Sequence, residues 1–123
     1  MKIRIKGNSI RFRLSKTKVD NFGNHGFLEE RTEFVSGPAL YYCLEKKKDI
    51  TNLEASFSAN RISVFVPENI VKEWTTTDIV GFDNKMKVGE DKELFILIEK
   101  DFVCLDHTFE DQSDNFPNPN KAC

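Results

Sequence analysis

Ile3-Arg4-Ile5-Lys6-Gly7-Asn8-Ser9-Ile10-Arg11-Phe12-Arg13-Leu14 is the stretch on which the fold turns. Its apolar residues alternate with charged ones on either side of Gly7-Asn8, a two-residue turn signal, so it reads as a β-hairpin with one apolar and one basic face. The stretch from Ala55 to Val66 repeats it: Ala55 stands for Ile3, Phe57 for Ile5, Asn60 for Asn8, Ile62 for Ile10, Val64 for Phe12 and Val66 for Leu14, always 52 positions on. A constant offset through a hairpin points to an internal repeat.

Outward from each hairpin the correspondence continues. Ser15 is a helix N-cap ahead of Val19 and Phe22, and the pattern stops at Gly23 and the Asn24-His25-Gly26 turn, which predicts a short helix from Lys16 to Phe22. In the second half Pro67 takes the helix-start position, and Val71 and Trp74 match Val19 and Phe22. Strand-like runs follow at Phe27–Phe34 and Leu40–Lys46, separated by Ser36-Gly37-Pro38. Their counterparts are Ile79–Phe82, continuing through Met86 and Val88, and Leu94–Glu99, with Phe27 aligned to Ile79 and Leu28 to Val80. By Leu44-Glu45-Lys46 against Ile98-Glu99-Lys100 the offset has grown to 54. The expectation is a single α+β domain over residues 1–123, with β-β-α-β-β units at 1–48 and 53–101. Together they form an antiparallel barrel or strongly curved sheet with two helices outside.

The composition fits one ordinary core: 123 residues, 39% hydrophobic and 31% charged, with no apolar run long enough to span a bilayer. Eleven Phe against one Trp and two Tyr suggest a core of rings that need no hydrogen-bond partner. Cys43, Cys104 and Cys123 are odd in number and widely spaced, without the framework of a disulfide scaffold, which together with a charged N-terminus predicts a cytoplasmic protein.

The order of elements resembles the CYTH superfamily of triphosphate-tunnel enzymes, in which eight antiparallel strands enclose a tunnel. That superfamily carries ExExK on its first strand, where Lys2, Arg4 and Lys6 stand here. The resemblance therefore implies a barrel plan without the acidic metal ligands. Over the whole chain the sequence is similar to a family of small bacterial proteins of unknown function. The likeness rests on the opening Lys2-Ile3-Arg4-Ile5-Lys6-Gly7-Asn8-Ser9-Ile10-Arg11, on Val80-Gly81-Phe82, on Glu99-Lys100-Asp101-Phe102 and on Asn118-Pro119-Asn120.

Charge is the strongest functional signal. Residues 1–48 carry 11 basic and 5 acidic side chains, net +6, and residues 49–123 carry 7 basic and 15 acidic, net −8, which together give the net charge of −2. Lys2, Arg4, Lys6, Arg11 and Arg13 share the polar face of the first hairpin, where guanidinium forks suit phosphate or carboxylate. The opposing reading is a self-neutralised face, with Glu29, Arg31 and Glu33 of the third strand pairing across to the arginines. The expected function is a binding domain for an anionic, phosphorylated small molecule, with Arg4, Lys6, Arg11 and Arg13 lining a cleft or tunnel. A protein-interaction module with a polarised surface is the alternative, and a metal-dependent phosphohydrolase would need carboxylates such as Glu29, Glu33, Glu45 and Glu99 to cluster. A sequence pI of about 5.7 speaks against nucleic acid.

Other motifs are weak. Cys104-x-x-His107 with Cys123 falls short of a four-ligand zinc site, Cys43 reads as a core thiol, and His25 sits in a turn with no acidic or nucleophilic neighbour. No P-loop, GxGxxG or Ser-His-Asp pattern occurs, and neither a cofactor nor a metal site is expected. After Asp101 the chain is acidic but keeps Phe102, Phe109 and Phe116, which suggests a strap over residues 102–123 that folds back and buries Phe109 or Phe116.

Overall fold

The first hairpin forms where its alternation places it, with β1 at Lys2–Ile5 and β2 at Ser9–Leu14. Between them Lys6 and Ser9 exchange backbone hydrogen bonds of 3.2 and 3.1 Å, and Gly7 adopts φ +54°, a left-handed conformation that only glycine takes at little cost. The computed structural model describes residues 1–102 together with Asp114 and Phe116. Beyond the first hairpin it contains α1 (Lys16–His25), β3 (Phe27–Thr32), β4 (Leu40–Lys47), β5 (Glu54–Ser58), β6 (Arg61–Pro67), α2 (Glu68–Thr76), β7 (Gly81–Lys87) and β8 (Glu93–Lys100).

Helix α1 begins as expected, with the Ser15 hydroxyl accepting from the Lys18 amide at 3.4 Å, but it runs past Phe22 to His25. Gly26 then ends it at φ +71°, its amide bonded back to the Phe22 carbonyl at 2.7 Å. Gly23 therefore does not stop the helix. It lets the second helix approach, since a Cβ there would lie 2.9 Å from Thr75 Oγ1. Pro67 closes β6 and precedes α2 as its cap residue, one position earlier than the sequence suggests.

The strands form two four-stranded sheets, ordered β1-β2-β8-β7 and β3-β4-β6-β5, and each takes two strands from each half of the chain. The expected antiparallel barrel is corrected on two counts. First, the central pairs β2–β8 and β4–β6 are parallel, so both sheets are mixed. Each helix carries the chain from one sheet to the other, so the two hairpin arms of one half cannot pair together, and each pairs with the other half instead. Second, the sheets do not close into a barrel. Their edges are tied by Asn84 Nδ2 donating to the Leu53 carbonyl at 2.8 Å and the Ala55 amide to Met86 Sδ at 3.5 Å on one side. On the other side the Met1 ammonium donates to Glu30 at 3.2 Å and the Tyr42 hydroxyl to the Met1 carbonyl at 3.3 Å.

Registers in the two sheets correspond. Ser9 faces Phe95 as Arg61 faces Tyr41, and Phe12 faces Ile98 as Val64 faces Leu44. The Asn8 carbonyl accepts from the Phe95 amide at 3.0 Å, and the Asn60 carbonyl accepts from the Tyr41 amide at 2.9 Å. In the next strand, however, Phe27 faces Glu45 as Gly81 faces Glu99, so Phe27 corresponds to Gly81 and not to Ile79. The two extra residues therefore enter before β7, between α2 and Gly81.

Phe12, Leu14, Leu44, Val64, Val66, Ile96 and Ile98 from the sheets meet Val19, Phe22, Val71 and Trp74 from the helices in one core. Phe12 reaches Tyr42 of the opposite sheet at 6.0 Å between ring centroids, and Phe22 meets the edge of Trp74 at 6.3 Å. The helices and the β4–β5 connection stand at one end of this sandwich, and the β1–β2, β3–β4, β5–β6 and β7–β8 turns at the other.

Candidate functional site

The pleat that sends Phe12 and Leu14 into the core turns Arg11 and Arg13 to the outer face of the first sheet. Register then brings Arg4 beside Arg11 and Lys2 beside Arg13. These four cations line an open depression of about 210 Å³. Lys6 is not among its lining residues. It lies exposed in the turn beyond β1, so the structure gathers three of the four expected residues, Arg4, Arg11 and Arg13, and adds Lys2.

Of the cleft or tunnel expected, no tunnel encloses the arginines. Apolar side chains fill the space between the sheets, and the arginines stand outside it. Their acidic partner comes from β8. Parallel pairing sets Arg13 opposite Glu99, whose Oε1 accepts from Arg11 Nε at 2.6 Å and from Arg13 Nε at 3.0 Å. Arg13 also brings its Nη2 within 2.9 Å of that oxygen, and Lys2 Nζ lies 2.9 Å from Asp101 Oδ2. One carboxylate oxygen thus holds two guanidinium groups side by side. Among the described residues the cluster sets four cations beside the carboxylates of Glu99 and Asp101.

The third strand does not supply this neutralisation, because it belongs to the other sheet. Glu29 pairs there with Arg61, Glu30 with the Met1 ammonium and Lys18, and Glu33 with Arg31. The same separation keeps apart the four carboxylates named for a phosphohydrolase. Glu29 and Glu45 lie on the second sheet, Glu33 just beyond β3, and Glu99 on the first sheet. Among the described residues no three His, Cys, Asp or Glu side chains stand close enough to hold a metal ion.

Gly81 shapes the same neighbourhood. It faces Glu99 in the β7–β8 ladder, and a Cβ on it would lie 2.2 Å from the Ile98 carbonyl and 3.1 Å from Glu99. Its neighbour Val80 accepts from Trp74 Nε1 at 3.0 Å and from the Lys100 amide at 2.9 Å. The start of β1, Val80–Phe82 and Glu99–Phe102 therefore lie at the same end of the first sheet.

A larger hollow of about 640 Å³ lies between the helices and the segment after β4. Its cations Lys46, Lys48 and Lys72 share the lining with Asp49 and Glu68, and no guanidinium group reaches it. On the outer face of the second sheet, Arg31 and Arg61 stack on the Tyr41 ring at 5.6 and 4.8 Å. Cys43 is buried, as expected of a core thiol, beside Ser63, to which its thiol donates at 3.2 Å. Burial pushes this thiol above its usual range, the Ser63 bond lowers it and Glu45 raises it, so Cys43 is not an activated nucleophile. His25 ends α1 on the surface. Cys104, His107, Cys123 and Phe109 lie outside the described residues, as does most of the strap expected over 102–123 to bury Phe109 or Phe116; Phe116 itself is exposed.

Neither β8's role nor the identity of Glu99 as the arginine partner could be read from the sequence, which does not reveal which strand lies beside β2. The one available signal was Glu99 itself, in a strand that aligns with β4. No helix among the described residues is long and apolar enough to cross a membrane.

Comparison with known proteins places the chain in a family. Residues 1–120 match the family of unknown function DUF7009, and the chain belongs to that family. No curated protein and no solved structure matches it.

Proposed function

We propose that this chain is a binding domain for an anionic, phosphorylated small molecule, held on the outer face of the first hairpin by Arg4, Arg11 and Arg13 with Lys2. The observation that carries the reading is the position of Glu99 Oε1, on which the Arg11 and Arg13 side chains converge at 2.6 and 3.0 Å. An anionic oxygen is already held where two guanidinium groups meet, and a phosphate oxygen has the same charge and acceptor geometry. Glu99 also orders both side chains before any ligand arrives, which lowers the entropic cost of binding. The matched registers of the two sheets support reading the chain as a tandem duplication of β-β-α-β-β units. In such a plan the apolar interior serves stability, and recognition falls to the outer faces.

The test is calorimetry of the full chain with inorganic phosphate, triphosphate and a phosphomonoester such as glucose 6-phosphate. The expected result is saturable binding of at least one of them. It should be lost in Arg11→Glu/Arg13→Glu and weakened in Arg4→Gln, with circular dichroism confirming that both variants fold. Absence of binding for all three ligands, or binding unchanged in folded variants, would overturn the assignment.

A further inference from the structure

The end of the sandwich away from the helices carries an apolar rim. Ile5 (58% exposed) and Phe57 (70%) are the outermost core-facing positions of β1 and β5. Phe34 (62%) and Val35 stand in the β3–β4 loop, and Val88 (47%) follows β7. These residues come in corresponding pairs, Ile5 with Phe57 at the offset of 52 and Phe34 with Val88 at the offset of 54. All four turns at this end thus present a large apolar side chain, with partly buried Ile10, Leu40, Met86 and Leu94 packed against the core behind them. Exposed apolar groups scattered singly are ordinary, but a ring of them at one end marks a contact surface.

Charge selects the occupant. In the first sheet the β1–β2 turn carries Lys6, and the β7–β8 turn carries Glu90 and Asp91 against the single Lys92, a net negative charge. The sheet order β1-β2-β8-β7 puts these turns on opposite halves of the same end. If a second copy is rotated by 180° about an axis normal to the sheets and docked end to end, left and right exchange. Lys6 of each chain then meets Glu90 and Asp91 of the other. In the second sheet, ordered β3-β4-β6-β5, the same operation sets the Phe34–Val35 loop against Phe57 of the other copy. The surface is self-complementary in both charge and apolar character under one twofold axis, as an isologous interface requires.

We infer that this end is a self-association surface through which the chain forms a twofold dimer with a second copy of itself. Two facing sheets of four strands present an end of roughly 20 by 25 Å, on the order of 500 Å² per chain, below the roughly 800 Å² per partner of a standard stable interface. The dimer is accordingly weak and concentration-dependent, and the face remains open at low concentration.

Sedimentation equilibrium of the full chain across micromolar to millimolar concentration tests this. The mass should rise from the 14.2 kDa of one chain towards twice that value. Phe34→Ser/Phe57→Ser should weaken association by at least about tenfold, because aromatic anchors dominate such contacts. Lys6→Glu should weaken it severalfold, and Glu90→Lys/Asp91→Lys in the same chain should restore it. A monomer at every concentration would overturn the inference, as would a dimer indifferent to these substitutions or a charge reversal that fails to rescue. A monomer whose melting temperature falls in Phe57→Ser would show instead that the chain's own residues cover the face, which also overturns it.

Discussion

Replacing Glu99 by Gln separates the two roles that the basic face could have. Glu99 is 15% exposed and accepts from two guanidinium groups, that of Arg11 at 21% exposure and that of Arg13 at 38%. A hydrogen bond to a charged group contributes about 1.5–3 kcal/mol, but the Arg13 share must be discounted for solvent screening, and Gln keeps one acceptor oxygen. The expected loss of stability is therefore about 1–2 kcal/mol, or about 4–8 °C in melting temperature for a chain of this size. Anion binding should move the other way. Removing a negative charge about 6 Å from the ligand, at an effective dielectric constant of about 40, relieves about 1.4 kcal/mol of repulsion, a tenfold gain in affinity. Thermal denaturation and phosphate calorimetry on the same preparation measure both effects. A variant that is less stable but binds phosphate no better would refute the idea that the ligand binds beside Glu99 at the arginine pair, and one that is equally stable would show that the ion pairs contribute nothing.

Trp74→Ala should cost about 3–5 kcal/mol in chemical denaturation, because the ring is fully buried against Phe22 and its N–H is bonded to the Val80 carbonyl. Gly81→Ala should distort the start of β7, since the added carbon would lie 2.2 Å from the Ile98 carbonyl, and amide exchange at Gly81 and Glu99 should accelerate markedly. Burial raises the Cys43 thiol and, with help from Glu30, the Tyr42 phenol. Both groups favour the protonated form when folded, so their stabilisation is complete below the ordinary thiol range and is lost as pH rises beyond about 9. Melting temperature should fall through that window, and less steeply in Cys43→Ala.

The local elements were legible in the sequence because they depend on neighbours a few residues apart. Period two marked the hairpins, and Ser15 marked the start of α1. The errors arose where a distant partner decides. Gly23 has the composition of a helix stop, but Thr75 of α2 packs where its side chain would be. Ile79 suits a strand, yet the ladder opposite Glu99 starts at Gly81. The face of the arginines followed from the pleat alone. Their neutralisation by Glu99 did not, because it needed the parallel register of β2 and β8, to which residues nearly ninety positions apart contribute.

That register also changes what the charge asymmetry of the chain means. A basic first half and an acidic second half suggest two poles, as they would if each half folded on itself. Here every sheet joins a hairpin of one half to a hairpin of the other, so the pole of the sequence becomes an interface within the sheet. Arg11 and Arg13 belong to the basic half and Glu99 to the acidic half, and they meet at 2.6 and 3.0 Å because β2 pairs with β8. Lys2 and Asp101 do the same at 2.9 Å. The asymmetry is thereby consumed in joining the two halves, each of which lacks the neighbouring strand that its central strand requires. The recognition proposed above then draws on the arginines gathered around Glu99 at the first hairpin and on the apolar rim at the opposite end from the helices.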